Sequence, residues 1–278
     1  MSESASQTSE TSRRTFIKGV TAAGSAAAIG LRAPAVLAKS TKPLRIGVLN
    51  TFTGTNANPT KSNMDGISLY LDQIGSKIAG RKVELVTADD QFNPQIGLQK
   101  VRALVENDHV DLLFGPQASN VAVAVLNYCT QTKTIMLAWA GGDSLTWGRI
   151  PSVFRPSLTS WQLATPMGGW VYQNVAKEVV LVASDFVAGH DVMREFKKAF
   201  TPKGGKVLKE IYPPVATGDY SAYLTDILSI NPPALYVFLT GTDAVRFARQ
   251  FKEFGLQGKV KLTGFAPLTD GSTIPAQG

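Results

Sequence analysis

The chain has 278 residues, 44% hydrophobic and 18% charged, so it can bury a substantial core and is long enough for two domains. Its formal charge of +7 comes from scattered lysines and arginines, as at Arg194, Lys197, Lys198 and Lys203, and not from a block, which argues against nucleic acid as a partner. One cysteine, Cys129, and two histidines, His109 and His190, exclude an internal disulfide and a zinc-type ligand cluster.

Residues 1–11 are polar and small, and a basic stretch, 12–18 (SRRTFIK), follows. After it come the Gly- and Ala-rich 19–31 (GVTAAGSAAAIGL), Arg32 and 33–38 (APAVLA). Basic, mildly apolar and small-residue regions in that order read as an export signal over 1–38, with Val36 and Ala38 placed for cleavage after Ala38. The segment resembles a twin-arginine signal peptide: Ser12, Arg13, Arg14, Phe16 and Lys18 fall at its spacing, with Ile17 where Leu is commoner. That resemblance implies a periplasmic protein and the twin-arginine translocase as a partner during export. The apolar region is too mild for a firm membrane anchor, and no later run reaches transmembrane length.

From Leu44 onward, short apolar runs alternate with longer amphipathic ones. Strands are expected at 44–50 (LRIGVLN), 83–89 (VELVTAD), 110–115 (VDLLFG) and 134–138 (TIMLA), with helices at 62–77, 94–108 and 119–131. Pro94 suits a helix start, and Cys129, in an apolar run, reads as a small core residue. A second block repeats the plan, with strands 178–184 (EVVLVAS), 206–212, 234–240 (ALYVFLT) and 259–265, and helices 190–200, 220–229 and 243–254. Asp219 is the expected cap of the 220–229 helix. Apolar strands joined by helices of ten or more residues make parallel βαβ units, so the fold class is α/β, with two lobes crossing over near Pro156-Ser157. A further helix, from about Trp161, belongs to the second lobe.

Motifs for phosphate, dinucleotide, nucleophile-elbow or zinc chemistry are absent, so no cofactor is expected and an enzyme is disfavoured. Asp89-Asp90 read as solvated, turn-capping carboxylates, His109 as a helix-end residue and His190 as a surface residue in a first helical turn. In open parallel sheets ligands gather outside the carboxyl ends of strands. The loops there read 51–60 (TFTGTNANPT), 115–120 (GPQASN), 139–147 (WAGGDSLTW), 185–191 (DFVAGHD) and 240–243 (TGTD). Their small residues let backbone amides and helix N-termini approach a carboxylate or other small anion. Ser119 and Asn120 read equally as a helix cap and as ligand donors. Trp139, Trp147, Trp161 and Phe186 add aromatic surface for an apolar or aromatic ligand body.

With those stretches in hand, and with 46–54 (IGVLNTFTG), 89–97 (DDQFNPQIG), Phe154-Arg155, 189–191 (GHD), 218–227 (GDYSAYLTDI) and 234–256, the chain from about Leu44 to Gly278 resembles the solute-binding proteins of ABC importers in the Leu/Ile/Val-binding, type I periplasmic binding protein family. The resemblance implies two Rossmann-like lobes, residues 43–156 and 157–278, closing over a small solute that passes to an inner-membrane permease. Members usually continue well past where this sequence stops, so the second lobe is expected to be incomplete. By the family pattern, Ser119 with the amides around Asn120 and Ala140 takes a carboxylate. Trp139 and Phe186 pack the ligand body, and Thr240 and Gly241 form the second-lobe wall. Ala188 stands where an aromatic is usual, Gly141 where a Thr is usual, and Ala266 where the amino-acid binders carry the acid that pairs the ammonium. Without that acid an ammonium costs several kcal/mol, roughly, to desolvate. The expected ligand is therefore an aromatic or other organic acid. A branched-chain amino acid or amide, or a sensor role with a receptor in place of the permease, remains the alternative.

Overall fold

Parallel strands need crossover helices, and the alternation of apolar and amphipathic runs supplies them, so the chain builds two sheets, each flanked by helices. The computed structural model describes residues 42–146, 150–264 and Leu268. The expected signal segment 1–38, Trp147, Ala266 and residues 271–278 lie outside the described residues.

The first sheet holds β1 (Leu44–Asn50), β2 (Lys77–Ile78), β3 (Arg81–Asp89), β4 (Leu112–Phe114), β5 (Ile135–Leu137) and β6 (Val153–Phe154), in the order β2-β3-β1-β4-β5-β6. All pairs are parallel except β2 with β3. Its helices are α1 (Ala57–Gln73), α2 (Pro94–Glu106) and α3 (Ser119–Thr132). Leu49, Leu113 and Met136 point to one face and pack with Val101, Leu104, Val121, Val125 and the buried Cys129 of α2 and α3. Ile46, Val48, Leu85 and Phe114 point to the other, towards α1, and leave an apolar space of about 600 Å³ beneath that helix.

Helix α1 begins at Ala57, not Ser62, and ends at Gln73, not Lys77. Pro59 falls in its first turn, where the amide has no intrahelical partner to lose. At its far end Gly75 (φ 63°) and Ser76 (φ 51°) reverse the chain into the β2–β3 hairpin, which the apolar pattern does not announce. Strand β6, two residues between Pro151 and Pro156, is likewise too short to leave a periodic signal.

The second sheet holds β7 (Glu178–Ala183), β8 (Lys206–Ile211), β9 (Ala234–Phe238) and β10 (Lys261–Gly264), all parallel, in the order β10-β9-β7-β8. Its helices are α4 (Ser160–Asn174), α5 (Val187–Phe200), α6 (Ser221–Ile230) and α7 (Thr242–Glu253). Alternate residues of one strand serve two cores, as expected of a sheet covered on both faces. Val180, Val182, Leu235 and Val237 meet Tyr220, Leu224 and Phe247 on one side. Val179, Leu181, Ala234 and Tyr236 meet Ala164, Val171, Phe196 and Phe200 on the other. Helix α4 thus packs in the second core, and a capping box of Thr159 with Gln162 starts it. Asp219 is not the cap of α6: Tyr220 holds that position, and the Asp219 carboxylate accepts from the Ser221 amide and hydroxyl instead.

Candidate functional site

The carboxyl ends of β1, β3, β4, β5, β6, β7 and β9 deliver the segments that follow them to one cavity of about 320 Å³. Four aromatic rings, Phe92, Trp139, Phe186 and Phe238, wall it, with Ala118, Leu158, Leu163, Ala188 and Val192 completing the apolar surface. Phe186 meets Phe92 edge-on with centroids 5.3 Å apart and stacks over Phe238 at 6.1 Å. Trp139 leans edge-on against Phe114 at 4.7 Å.

Helices α1, α3, α5 and α7, whose first turns flank this cavity, have no side-chain cap at their N-termini. The N-cap of α3 is Ala118, which has no hydrogen-bonding side chain, so the expectation that Ser119 or Asn120 caps the helix is corrected. Ser119 is the first helical residue, and its hydroxyl oxygen accepts from the Gly142 amide at 3.0 Å. Gly115, at φ 100°, makes the preceding turn possible, since a β-carbon there would fall 2.0 Å from the Leu49 carbonyl oxygen.

Five hydroxyl side chains line the cavity, and four spend their proton on the protein. Thr51 donates to Asp90 Oδ1 at 2.6 Å, Ser157 to the Trp139 carbonyl at 3.0 Å, Ser160 to the Gly141 carbonyl at 3.0 Å, and Thr240 to Asn56 Oδ1. Of these five hydroxyls, Ser119 accepts a hydrogen bond and keeps its proton to give. The remaining polar lining comes from Asn56, Gln117 and backbone at Gly141, and none of the described lining residues is charged.

Of the residues singled out in the sequence, Ser119, Trp139, Gly141, Phe186, Ala188 and Thr240 line the cavity. Three do not. Asn120 turns away, its side chain donating to the Phe92 carbonyl at 3.0 Å. Ala140 is fully buried against Ala122 and Leu145. Gly241, at φ 55°, is pressed against the first lobe, where a β-carbon would lie 2.0 Å from the Thr55 carbonyl oxygen. Ala266 lies outside the described residues. Trp161 is 56% exposed and off the cavity, so it adds nothing to the aromatic wall. Asn56, Phe92 and Phe238 take part instead. Phe92 sits in the quoted 89–97 stretch and Asn56 in the 51–60 loop, while Phe238 reads in sequence as a core strand residue.

The carboxylate pair at the end of β3 braces the site. Asp89 accepts from the Phe52 amide, the Thr53 hydroxyl and the Gln91 amide, and these bonds hold its pKa below the usual value against the upward push of burial. Asp90, read from sequence as solvated, is fully buried; desolvation raises its pKa, although Thr51 and the Phe92 amide bond to it. His190 is exposed, 2.7 Å from Asp185 and stacked on Tyr212, away from the cavity.

Loops of the two sheets touch on both sides of the cavity. On one side lie Asn56 with Thr240; on the other, the Asp143 amide donates to Asp191 at 3.0 Å and Arg194 reaches Asp143 at 3.1 Å. Arg155, just after β6, ties down the 140–142 loop through the Ala140 and Gly142 carbonyls, at 2.9 and 2.6 Å.

Residues 43–278 match a family model described as periplasmic binding protein. A Leu/Ile/Val-binding protein homolog 6 of Brucella melitensis biotype 1 is 30% identical over 238 residues, 84% of this chain and 61% of the relative. A solute-binding protein of an ABC transporter from Rhodopseudomonas palustris BisB5, solved with 3,4-dihydroxybenzoic acid, is 30% identical with a TM-score of 0.77. The match covers 82% of this chain and 63% of that one. Another R. palustris solute-binding protein, solved with benzoate, is 28% identical with a TM-score of 0.81 over 84% of this chain and 65% of its own. The chain thus spans less than two thirds of the length of these relatives.

Proposed function

Since the chain belongs to the periplasmic binding protein family, we propose that it is the solute-binding component of an ABC importer, holding a small aromatic carboxylate between lobes 43–156 and 157–278 and passing it to a membrane permease. The observation that carries this reading is the composition of the cavity wall: four aromatic rings, one hydroxyl with a proton to give, and no charged group among the described lining residues. A carboxylate needs only donors, which Ser119 and the uncapped turn of α3 offer together with that helix's positive end. An α-ammonium needs a buried acid, and leaving it unpaired costs roughly several kcal/mol. The relatives solved with benzoate and with 3,4-dihydroxybenzoic acid support the same ligand class.

In this reading Trp139, Phe186, Phe92 and Phe238 clasp the ring, Gly141 and Ala188 leave it room, and Thr240 contributes from the second lobe. Closure turns about the crossover after β6, with the ligand completing contacts from both lobes. The signal-like segment 1–38 sends the protein to the periplasm by the twin-arginine route. No catalytic role is assigned, as the relatives are solute-binding proteins. The name of the Brucella relative keeps branched-chain amino acids as the competing ligand class. Calorimetric titration of the purified protein with benzoate and with leucine decides between them. Binding of benzoate is the expected result, and binding of leucine with no heat from any aromatic acid overturns the proposal.

A further inference from the structure

We infer that Arg155, which does not line the cavity, is a positioning residue: it holds carbonyls of the 140–142 loop outward and so keeps the loop amides and the Ser119 proton available to a carboxylate. The inference rests on the carboxylate reading above and deepens it. Arg155 follows β6, and its guanidinium spans two carbonyls, Nη1 donating to Ala140 at 2.9 Å and Nη2 to Gly142 at 2.6 Å. Nη2 also reaches the Thr146 hydroxyl at 3.2 Å. The carbonyl between those two, that of Gly141, accepts from the Ser160 amide at 2.8 Å and the Ser160 hydroxyl at 3.0 Å. The one before them, that of Trp139, accepts from the Ser157 hydroxyl at 3.0 Å. Four successive carbonyls, from Trp139 to Gly142, are thus drawn towards the segment 155–160.

A trans peptide points its N–H opposite to its carbonyl, so the amides of this loop face the other way. The Gly142 amide donates to Ser119 Oγ at 3.0 Å and the Asp143 amide to Asp191 at 3.0 Å. Gly141 lines the cavity, and its amide has no protein acceptor among the described residues. Donors inward and acceptors outward suit an anion. The bond from Gly142 occupies an acceptor site of Ser119 Oγ, and the hydroxyl proton is left for a ligand. Without the guanidinium, the carbonyls on either side of the 141–142 peptide lose a charged donor, and that peptide is freer to turn. A Ser119 hydroxyl released by Gly142 can then spend its proton on a protein oxygen, as the other four hydroxyls of the lining do. Lysine, with one nitrogen, cannot reproduce the planar fork that spans both carbonyls.

The test is a double-mutant cycle on benzoate affinity, read by calorimetry, that pairs Ser119→Ala with Arg155→Lys. Burial lowers the Arg155 pKa while Asp143 and Asp191 raise it, and lysine keeps a positive charge beside those carboxylates while losing the fork. Arg155→Lys alone is expected to weaken benzoate binding by at least about tenfold. Ser119→Ala is expected to cost about tenfold or more in the wild-type background and no more than about threefold in Arg155→Lys, because groups that act as a unit are not additive. A residue that only stabilised the fold would leave the cost of Ser119→Ala the same in both backgrounds. Arg155→Gln, which also lacks the fork, gives the same cycle if the lysine variant does not fold. Wild-type affinity in the Arg155 variant, or an equal cost of Ser119→Ala in the two backgrounds, overturns the inference and leaves the aromatic-acid reading standing. No binding of benzoate by the wild-type protein overturns both.

Discussion

Replacing Ser119 by alanine removes one oxygen with two separate duties, and the structure lets their costs be measured apart. The first duty is to accept the Gly142 amide at 3.0 Å in a buried setting. Orphaning that donor costs about 1–3 kcal/mol of folding stability. The second is to donate its free proton to a ligand carboxylate, a bond to a charged group worth about 1.5–3 kcal/mol, or about 10- to 150-fold in Kd. Ser157→Ala is the matched control, since that hydroxyl also lines the cavity but gives its proton to the Trp139 carbonyl. It is expected to lose about 1 kcal/mol of stability while its affinity stays within about threefold of the wild type. Chemical denaturation reads the stability of both variants, and calorimetry with benzoate reads the affinity. If Ser119→Ala binds benzoate as the wild type does while Ser157→Ala loses tenfold or more, roughly, the assignment of the donor from its hydrogen-bond partners is wrong.

Ala188→Phe places a ring in the cavity from a wall residue that is only 6% exposed; benzoate binding is expected to fall by more than about 100-fold with cooperative unfolding retained, as calorimetry and circular dichroism would show. Arg194→Met leaves the buried Asp143 and Asp191 without their shared guanidinium, at 3.1 and 2.5 Å. Breaking a buried pair costs about 3–5 kcal/mol, and because Arg194 is itself 39% exposed the expected loss in urea denaturation is about 1–3 kcal/mol. Burial already raises the pKa of Asp143, so the folded state binds that proton more tightly than the unfolded chain. The deficit of Arg194→Met is therefore expected to shrink as pH falls from neutrality through the raised pKa towards the ordinary aspartate value. Glu195 behaves oppositely: despite burial, Lys198 and Arg194 hold its pKa below the ordinary glutamate value, so it adds stability above that value which is lost as pH falls through its lower folded pKa. Lys198→Met is expected to weaken that acid-side loss in a pH series of unfolding midpoints.

The second sheet is legible in the sequence because it is buried on both faces. Runs such as 178-EVVLVA-183 and 234-ALYVF-238 have no polar alternation to confuse a strand with anything else. The first turn of helix α1 is not, because Asn58-Pro59 has the composition of a loop and only the first-turn position makes the proline harmless. Around the cavity, the rule that strand ends carry ligands picks out the loops but not which atoms face inward. Ser119 and Ala140 both sit at such ends, yet only Ser119 lines the cavity, because α3 starts there while Ala140 tucks behind Leu145. The free proton of Ser119 is beyond sequence reasoning altogether, since it follows from a partner, Gly142, that lies 23 residues away.

Cys129, enclosed between α3 and the first sheet, has its thiol pushed up to about 12 by desolvation. A thiol raised that far is almost all protonated at neutral pH, and its side chain has no exposed surface for a reagent to meet. The sequence's single cysteine is therefore expected to be silent to maleimides in the folded protein. A Leu158→Cys substitution at the cavity rim, where the native side chain is 55% exposed, offers the one reactive thiol of the folded chain. A dye attached there would turn ligand occupancy into an optical signal with no need to engineer the native thiol away.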